Sequence, residues 1–241
     1  MISLRNVCAN TLAAGALTWS GIASSASMVP SFSMTVDTNT MMPMMFDSTM
    51  SNVMPTSDPN VFTAMGTHTS MDVWQYDWNL MMDPDPVIGG TFSITNMSST
   101  TQTFSLLFNL PVSPAFTDGY KSGSIGATLT DSDGNGNAQL SNMTWDGLID
   151  GANAMNLLSA GTLCFGGGCS ATVFPVSDGP LFHSGDVNTS IGIAMSFDLT
   201  AGDTADLTTS FEVNPVPVPA AIWLFGSGLL GLIGMARRKK S

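Results

Sequence analysis

Asp72-Val73-Trp74-Gln75-Tyr76-Asp77-Trp78-Asn79-Leu80 alternates large apolar and polar side chains, a pattern that suits an extended chain. Successive side chains of a strand point to opposite faces. Trp74, Tyr76, Trp78 and Leu80 therefore share one face, with mainly polar residues opposite. Asp83-Pro84-Asp85-Pro86 breaks the run, since proline fixes φ and removes a donor. Two further stretches repeat the alternation. Phe104, Leu106, Phe108 and Leu110 interleave with Ser105, Leu107 and Asn109; Ile191, Ile193, Met195, Phe197 and Leu199 interleave with Gly192, Ala194, Ser196 and Asp198.

Working outward, the pattern predicts strands at 91–95, 103–110, 124–130, 139–145, 171–174, 190–199 and 206–213. Clusters of Gly, Asp, Asn and Pro separate them. Thr200-Ala201-Gly202-Asp203 reads as a hairpin loop, and Leu148 to Leu158 fits either a short helix or a crossing loop. Short strands at this spacing predict an all-β, antiparallel β-sandwich ectodomain over residues 72–213. Residues 27–71 read as an irregular segment rich in Met, Thr and Ser. Twelve of the 18 methionines lie between Met28 and Met82, including Met41-Met42-Pro43-Met44-Met45. Clustered thioethers suit Cu(I), but adaptable apolar packing accounts for them more simply.

The sharpest local motif is Asp131-Ser132-Asp133-Gly134-Asn135-Gly136-Asn137. Oxygen-bearing side chains at alternate positions followed by Gly match the first half of a calcium loop. Asp131, Asp133, Asn135 and Asn137 are the candidate ligands. The second half departs from the pattern, because Asn142 stands where a bidentate Glu is required. The alternative is a tight turn built from residues that tolerate positive φ. The Trp74/Tyr76/Trp78 face likewise has two readings, a stacking platform for sugar rings or the buried face of a strand.

Nothing assembles a catalytic constellation. Phe182-His183-Ser184-Gly185-Asp186 holds triad residue types in one short run, whereas triads are built from distant segments, and no Gly-x-Ser-x-Gly elbow occurs. His68 has no companion at metal-ligand spacing. Glu212 is the sole glutamate, so a Glu–Glu glycosidase pair is excluded. The expectation is a non-enzymatic protein without a resident cofactor other than calcium.

Charge is divided along the chain. All 18 acidic residues lie between Asp37 and Glu212, a stretch in which Lys121 is the only Lys or Arg. Such a body repels nucleic acid and anionic surfaces and attracts divalent cations. Salt screens its self-repulsion, with a Debye length of roughly 3 Å at 1 M.

Residues 1–26 read as a secretory signal peptide: Arg5, an apolar stretch from Val7 to Ile22, then Ser24-Ser25-Ala26 before the cut. Removal of Cys8 with that segment leaves Cys164 and Cys169, an even pair in an oxidising compartment. A disulfide between them closes a short Gly-rich loop and contributes about 2 kcal/mol.

The C-terminus has three parts. Asn214-Pro215-Val216-Pro217-Val218-Pro219 is a stiff extended stalk. Residues 220–236 carry no charge and form, as a transmembrane helix, a span of about 26 Å. Arg237-Arg238-Lys239-Lys240 then stays cytoplasmic by the positive-inside rule, leaving the body outside.

This order closely resembles the PEP-CTERM family of sorting tails, in its Val-Pro-Leu-Pro-Ala variant. The matching residues are Val216-Pro217-Val218-Pro219-Ala220, then Trp223-Leu224-Phe225-Gly226-Ser227-Gly228-Leu229-Leu230-Gly231, then the basic end Arg237, Arg238, Lys239 and Lys240. Val218 stands where the family's name has Glu. The resemblance implies recognition by an exosortase-type membrane protease after signal peptidase has acted. It also implies an inner-membrane-anchored precursor and delivery to the cell surface or the extracellular matrix, often beside exopolysaccharide and biofilm genes. Thr101-Gln102-Thr103-Phe104, Ile191-Gly192-Ile193 and Leu199-Thr200-Ala201-Gly202-Asp203 resemble segments of ectodomains that precede such tails. The expected protein is therefore an exported, biofilm-associated surface protein sorted through residues 214–241. The alternative is a glycan- or calcium-binding sandwich anchored permanently in the membrane.

Overall fold

The computed structural model describes residues 31–39, 41–58, 60–70, 73–165 and 172–216. The expected signal peptide and transmembrane helix lie outside these residues. In chain order the strands are β1 (Ser33–Thr38), β2 (Met41–Asp47), β3 (Asn52–Pro55), β4 (Phe62–Ser70), β5 (Trp74–Asp83), β6 (Val87–Asn96) and β7 (Gln102–Pro111). There follow β8 (Phe116–Thr130), β9 (Gln139–Ile149), β10 (Ala152–Cys164), β11 (Val176–Val187), β12 (Ser190–Leu199) and β13 (Thr204–Pro215). One sheet runs β10-β9-β12-β7-β1-β2 and the other β11-β8-β13-β6-β5-β4-β3. Every pairing is antiparallel. The expected all-β, two-sheet antiparallel architecture is what forms.

The alternating stretches became strands whose apolar faces meet. Trp74, Tyr76, Trp78, Leu80 and Met82 of β5 are buried, as are Phe104, Leu106, Phe108 and Leu110 of β7 and Ile191, Ile193, Met195, Phe197 and Leu199 of β12. Aromatic contacts join the sheets across the core. Phe92 of β6 stacks on Phe108 of β7 with centroids 4.5 Å apart, and Phe46 of β2 lies 5.1 Å from Trp78. Two polar contacts cross the same gap. Tyr76 donates its hydroxyl to the Met34 thioether at 3.0 Å, and Trp145 Nε1 donates to Thr209 Oγ1 at 2.6 Å. Burial pushes the Tyr76 hydroxyl well above its ordinary pKa, so it remains a donor.

The segment expected to be irregular, 27–71, instead contributes β1 to β4. β1 lies between β7 and β2, with Met34 and Val36 in the core, so the β body starts near residue 33 rather than 72. The run of methionines hid this. In β2, Phe46 faces inward while the adjacent Met45 (67% exposed) faces solvent, so an apolar residue occupies both phases of the period. Pro43 is tolerated because β2 is an edge strand.

Three other expectations change. Leu148 to Leu158 is neither helix nor crossing loop, but the end of β9, a two-residue turn and the start of β10. Asp150 (φ 51°) and Gly151 (φ 78°) both take the left-handed region, the geometry of a type I′ hairpin for which Asp-Gly is a preferred sequence. Burial would raise the Asp150 carboxyl, but amides of Asn188, Thr189 and Ser190 and the Thr189 hydroxyl outweigh it, holding the pKa at about 2. The strand expected at 171–174 begins at Val176 instead. Thr200 to Asp203 is not a hairpin loop: β12 and β13 belong to different sheets, so the segment arches across the core.

Room for the rings is made by glycine. A Cβ on Gly147 of β9 would lie 2.5 Å from Phe211 Cε2, against the ring that meets Trp145 edge-on at 6.0 Å. Gly147→Ala should destabilise the protein by about 1–3 kcal/mol through overpacking. Urea unfolding measures this, and an unchanged midpoint would show that the cross-sheet ring pair is not close-packed.

Candidate metal centre

Several connections meet at one end of the two sheets. The β6–β7, β8–β9 and β12–β13 connections all pass from one sheet to the other. Asn96, at the end of β6 and fully buried, ties two of them together. Its Nδ2 amide faces the carbonyls of Thr100 and Leu199 at 2.9 Å and of Thr200 at 3.0 Å. Its backbone N–H donates to Asp203 O at 2.9 Å and its carbonyl accepts from Gly202 N at 2.8 Å. Thr200 is also fixed to the start of β9: its Oγ1 accepts from Gln139 N at 2.7 Å and its N–H donates to Gln139 O at 3.0 Å.

The β8–β9 connection is folded by its own carboxylates. Asp131 accepts from Gly134 N at 2.8 Å and from Gly136 N at 2.7 Å. Asp133 accepts from Asn135 N at 2.9 Å and Asn135 Nδ2 at 2.7 Å. Asp133 then lies against Gly202 of the neighbouring arch. A Cβ there would fall 2.6 Å from Asp133 Oδ2, and Gly202 has φ +76°, so glycine is required for both space and conformation.

These contacts bring Asp131, Asp133 and Asp203 together, with one carboxylate oxygen from each lying within 4.8 Å of the others. Asp133 is exposed, Asp131 half-buried and Asp203 fully buried, at 0% exposure. Asp203 Oδ2 accepts from the Thr200 hydroxyl, whereas Oδ1 is buried without a hydrogen-bond partner. Burial raises the Asp203 pKa; the Thr200 hydroxyl opposes this, the charges of Asp133 and Asp131 add to it, and the Ser132 amide opposes it. Hard oxygen donors at this spacing suit Ca²⁺ or Mg²⁺ better than zinc or copper.

The structure alters the ligand set expected from sequence. Asp131 and Asp133 converge, but Asn135 and Asn137 remain in their own turn, with Asn137 N donating to Asn135 Oδ1 at 2.8 Å. Asn142 lies in β9 and donates to Asp198 Oδ2 at 2.6 Å, so no twelve-residue calcium loop forms. Asp203 joins Asp131 and Asp133. It lies far along the chain, in a segment read as an ordinary turn, and only the two arches make it a neighbour.

The aromatic platform is not available to a sugar. Trp74 (1% exposed), Tyr76 (0%) and Trp78 (4%) are core residues, and Trp78 Nε1 donates to Ser51 Oγ at 3.2 Å. His68 packs against Phe46 and Trp74 with centroids 5.3 and 5.6 Å away. His183 lies on β11 at a sheet edge, where the Asp186 carboxylate accepts from Thr117 at 2.7 Å. Glu212 accepts from Ser122 at 2.6 Å. Cys164, at the end of β10, is disulfide-bonded. Cys169 lies outside the described residues, as do Pro217, Val218, Pro219, Ala220, Arg237, Arg238, Lys239 and Lys240 of the sorting motif. Val216 donates its N–H to Asp118 O at 3.3 Å. No family model and no curated protein matches this chain.

The charge balance sets a sign for Asp203. A carboxyl with a raised folded pKa contributes stability below its ordinary value of 3.8, and that stability is lost as pH rises through the raised value. In calcium-free buffer at pH 7, Asp203→Asn should therefore raise Tm by about 2–4 °C. The advantage should vanish toward pH 3, as a pH series of thermal melts would show. A variant less stable than the parent at pH 7 would mean that the ionised carboxylate is compensated.

Proposed function

We propose that this chain is an exported, non-enzymatic cell-surface or extracellular-matrix protein, associated with biofilm. In this reading its acidic β body is delivered through a C-terminal tail that an exosortase-type protease processes. The observation that carries the reading is the tail itself: Val216-Pro217-Val218-Pro219-Ala220, an uncharged 220–236 segment and Arg237-Arg238-Lys239-Lys240, in that order. Two features of the body accord with it. β13 ends at Pro215, so the last strand leads directly into the stalk. Cys164 is disulfide-bonded, a state that persists in oxidising compartments.

The composition suits the same setting. A body with 18 acidic residues and one lysine stays soluble through self-repulsion, which salt or divalent ions moderate. The membrane is then a transient station for the precursor, engaged through the tail alone. Exopolysaccharide is the companion that the tail's family resemblance suggests.

Intact-mass analysis of the protein recovered from its native cells tests this directly. The expected mature chain begins after Ala26 and ends between Pro217 and Ala220. A membrane-bound chain still ending at Ser241 would replace sorting with a permanent anchor.

A further inference from the structure

We propose that Asp131, Asp133 and Asp203 form a divalent-cation site, selective for calcium, that cross-links the β8–β9 and β12–β13 arches. The proposal goes beyond delivery to the surface and does not depend on how the tail is processed. Its first support is convergence: three carboxylate oxygens lie within 4.8 Å of one another. Two oxygens on opposite sides of a bound Ca²⁺ are about 5 Å apart, so one ion can touch all three.

The second support is independent of the clustering. Asp203 is fully buried, and its Oδ1 has no hydrogen-bond partner. A buried carboxylate oxygen is costly unless a donor or a cation meets it. No protein base serves here. Lys121 is the only Lys or Arg among the described residues, and its Nζ donates to Ala154 O at 2.5 Å. The hydrogen bonds of Asp131 and Asp133 hold those carboxylates beside Asp203 without neutralising it.

Calcium fits better than magnesium for a coordination reason. Ca²⁺ accepts irregular sets of six to eight oxygens, including water, whereas Mg²⁺ demands near-ideal octahedral geometry and gives up water reluctantly. On the solvent side, where Asp133 is exposed, water completes the shell. A site of three carboxylates open to solvent belongs with the weaker extracellular sites, at a Kd of about 10⁻⁴–10⁻³ M.

The test is calorimetric titration and thermal melting of the intact protein with CaCl₂, against MgCl₂ and NaCl at matched ionic strength. Asp203→Asn and Asp133→Asn are compared with Asp85→Asn, an exposed acid in the β5–β6 turn at the opposite end of β6. The parent and Asp85→Asn should bind calcium, with Tm rising about 3–6 °C at ten times Kd. Asp203→Asn and Asp133→Asn should each lose at least about tenfold in affinity, through loss of a charged ligand. If Asp203→Asn fails to fold, Asp133→Asn decides alone, since its side chain is exposed. The proposal is overturned if 10 mM calcium does no more than matched NaCl, or if both site variants bind as the parent does.

Discussion

The side chain of Asn96 is the contact on which one whole end of the molecule depends. An amide carries two N–H donors and an acceptor, and here none of them faces water. The donors meet carbonyls of two arches, and Oδ1 accepts from Ser98 N at 3.1 Å and Ser98 Oγ at 2.7 Å. Inside a low-dielectric core such a network is strong only while complete, since any partner lost leaves a buried polar group unmet. Asn96 also lies in the sequence Asn-Met-Ser, an acceptor pattern for glycosylation, but its nitrogen is committed inside the fold.

Because the arches are pinned, Asp203 cannot swing out to solvent. Its carbonyl is held by Asn96 N, its Oδ2 by Thr200, and its neighbour Gly202 by close approach to Asp133. Strong local order thus maintains an unfavourable cluster of like charges. Native proteins retain local conflicts of this kind chiefly at functional positions. The opposite end offers a contrast: the Asp150 carboxylate accepts from Asn188 N at 2.9 Å, Thr189 N at 2.7 Å and Ser190 N at 3.0 Å. At Asp150 three backbone amides outweigh burial and the pKa falls; at Asp203 burial and the charges of Asp133 and Asp131 outweigh the Thr200 hydroxyl and the Ser132 amide, and the pKa rises.

How far the fold could be read from sequence depended on whether one face of a strand was chemically distinct from the other. β5, β7 and β12 carry rings and aliphatics on one face and mainly polar residues on the other, so their strands and core residues were legible. β2 was not, because methionine and proline fill both phases and an edge strand does not demand alternation. The Asp150-Gly151 hairpin was signalled locally, but the apolar residues around it also fit a helix. Thr200 to Asp203 illustrates a deeper limit: turn residues report that the chain reverses, not whether it returns to the same sheet or crosses the core. Two of the three carboxylates of the candidate site, Asp131 and Asp133, were therefore readable, while Asp203 needed the topology.

These connections bring three carboxylates together, and the proposed cation would lie among them. Diffraction from crystals grown with calcium and then exchanged into terbium, recorded at the lanthanide absorption edge, tests it most directly. A single bound cation should give one strong anomalous peak about 2.3–2.6 Å from oxygens of Asp131, Asp133 and Asp203. An empty cluster, or a peak held only by exposed acids elsewhere, would contradict it.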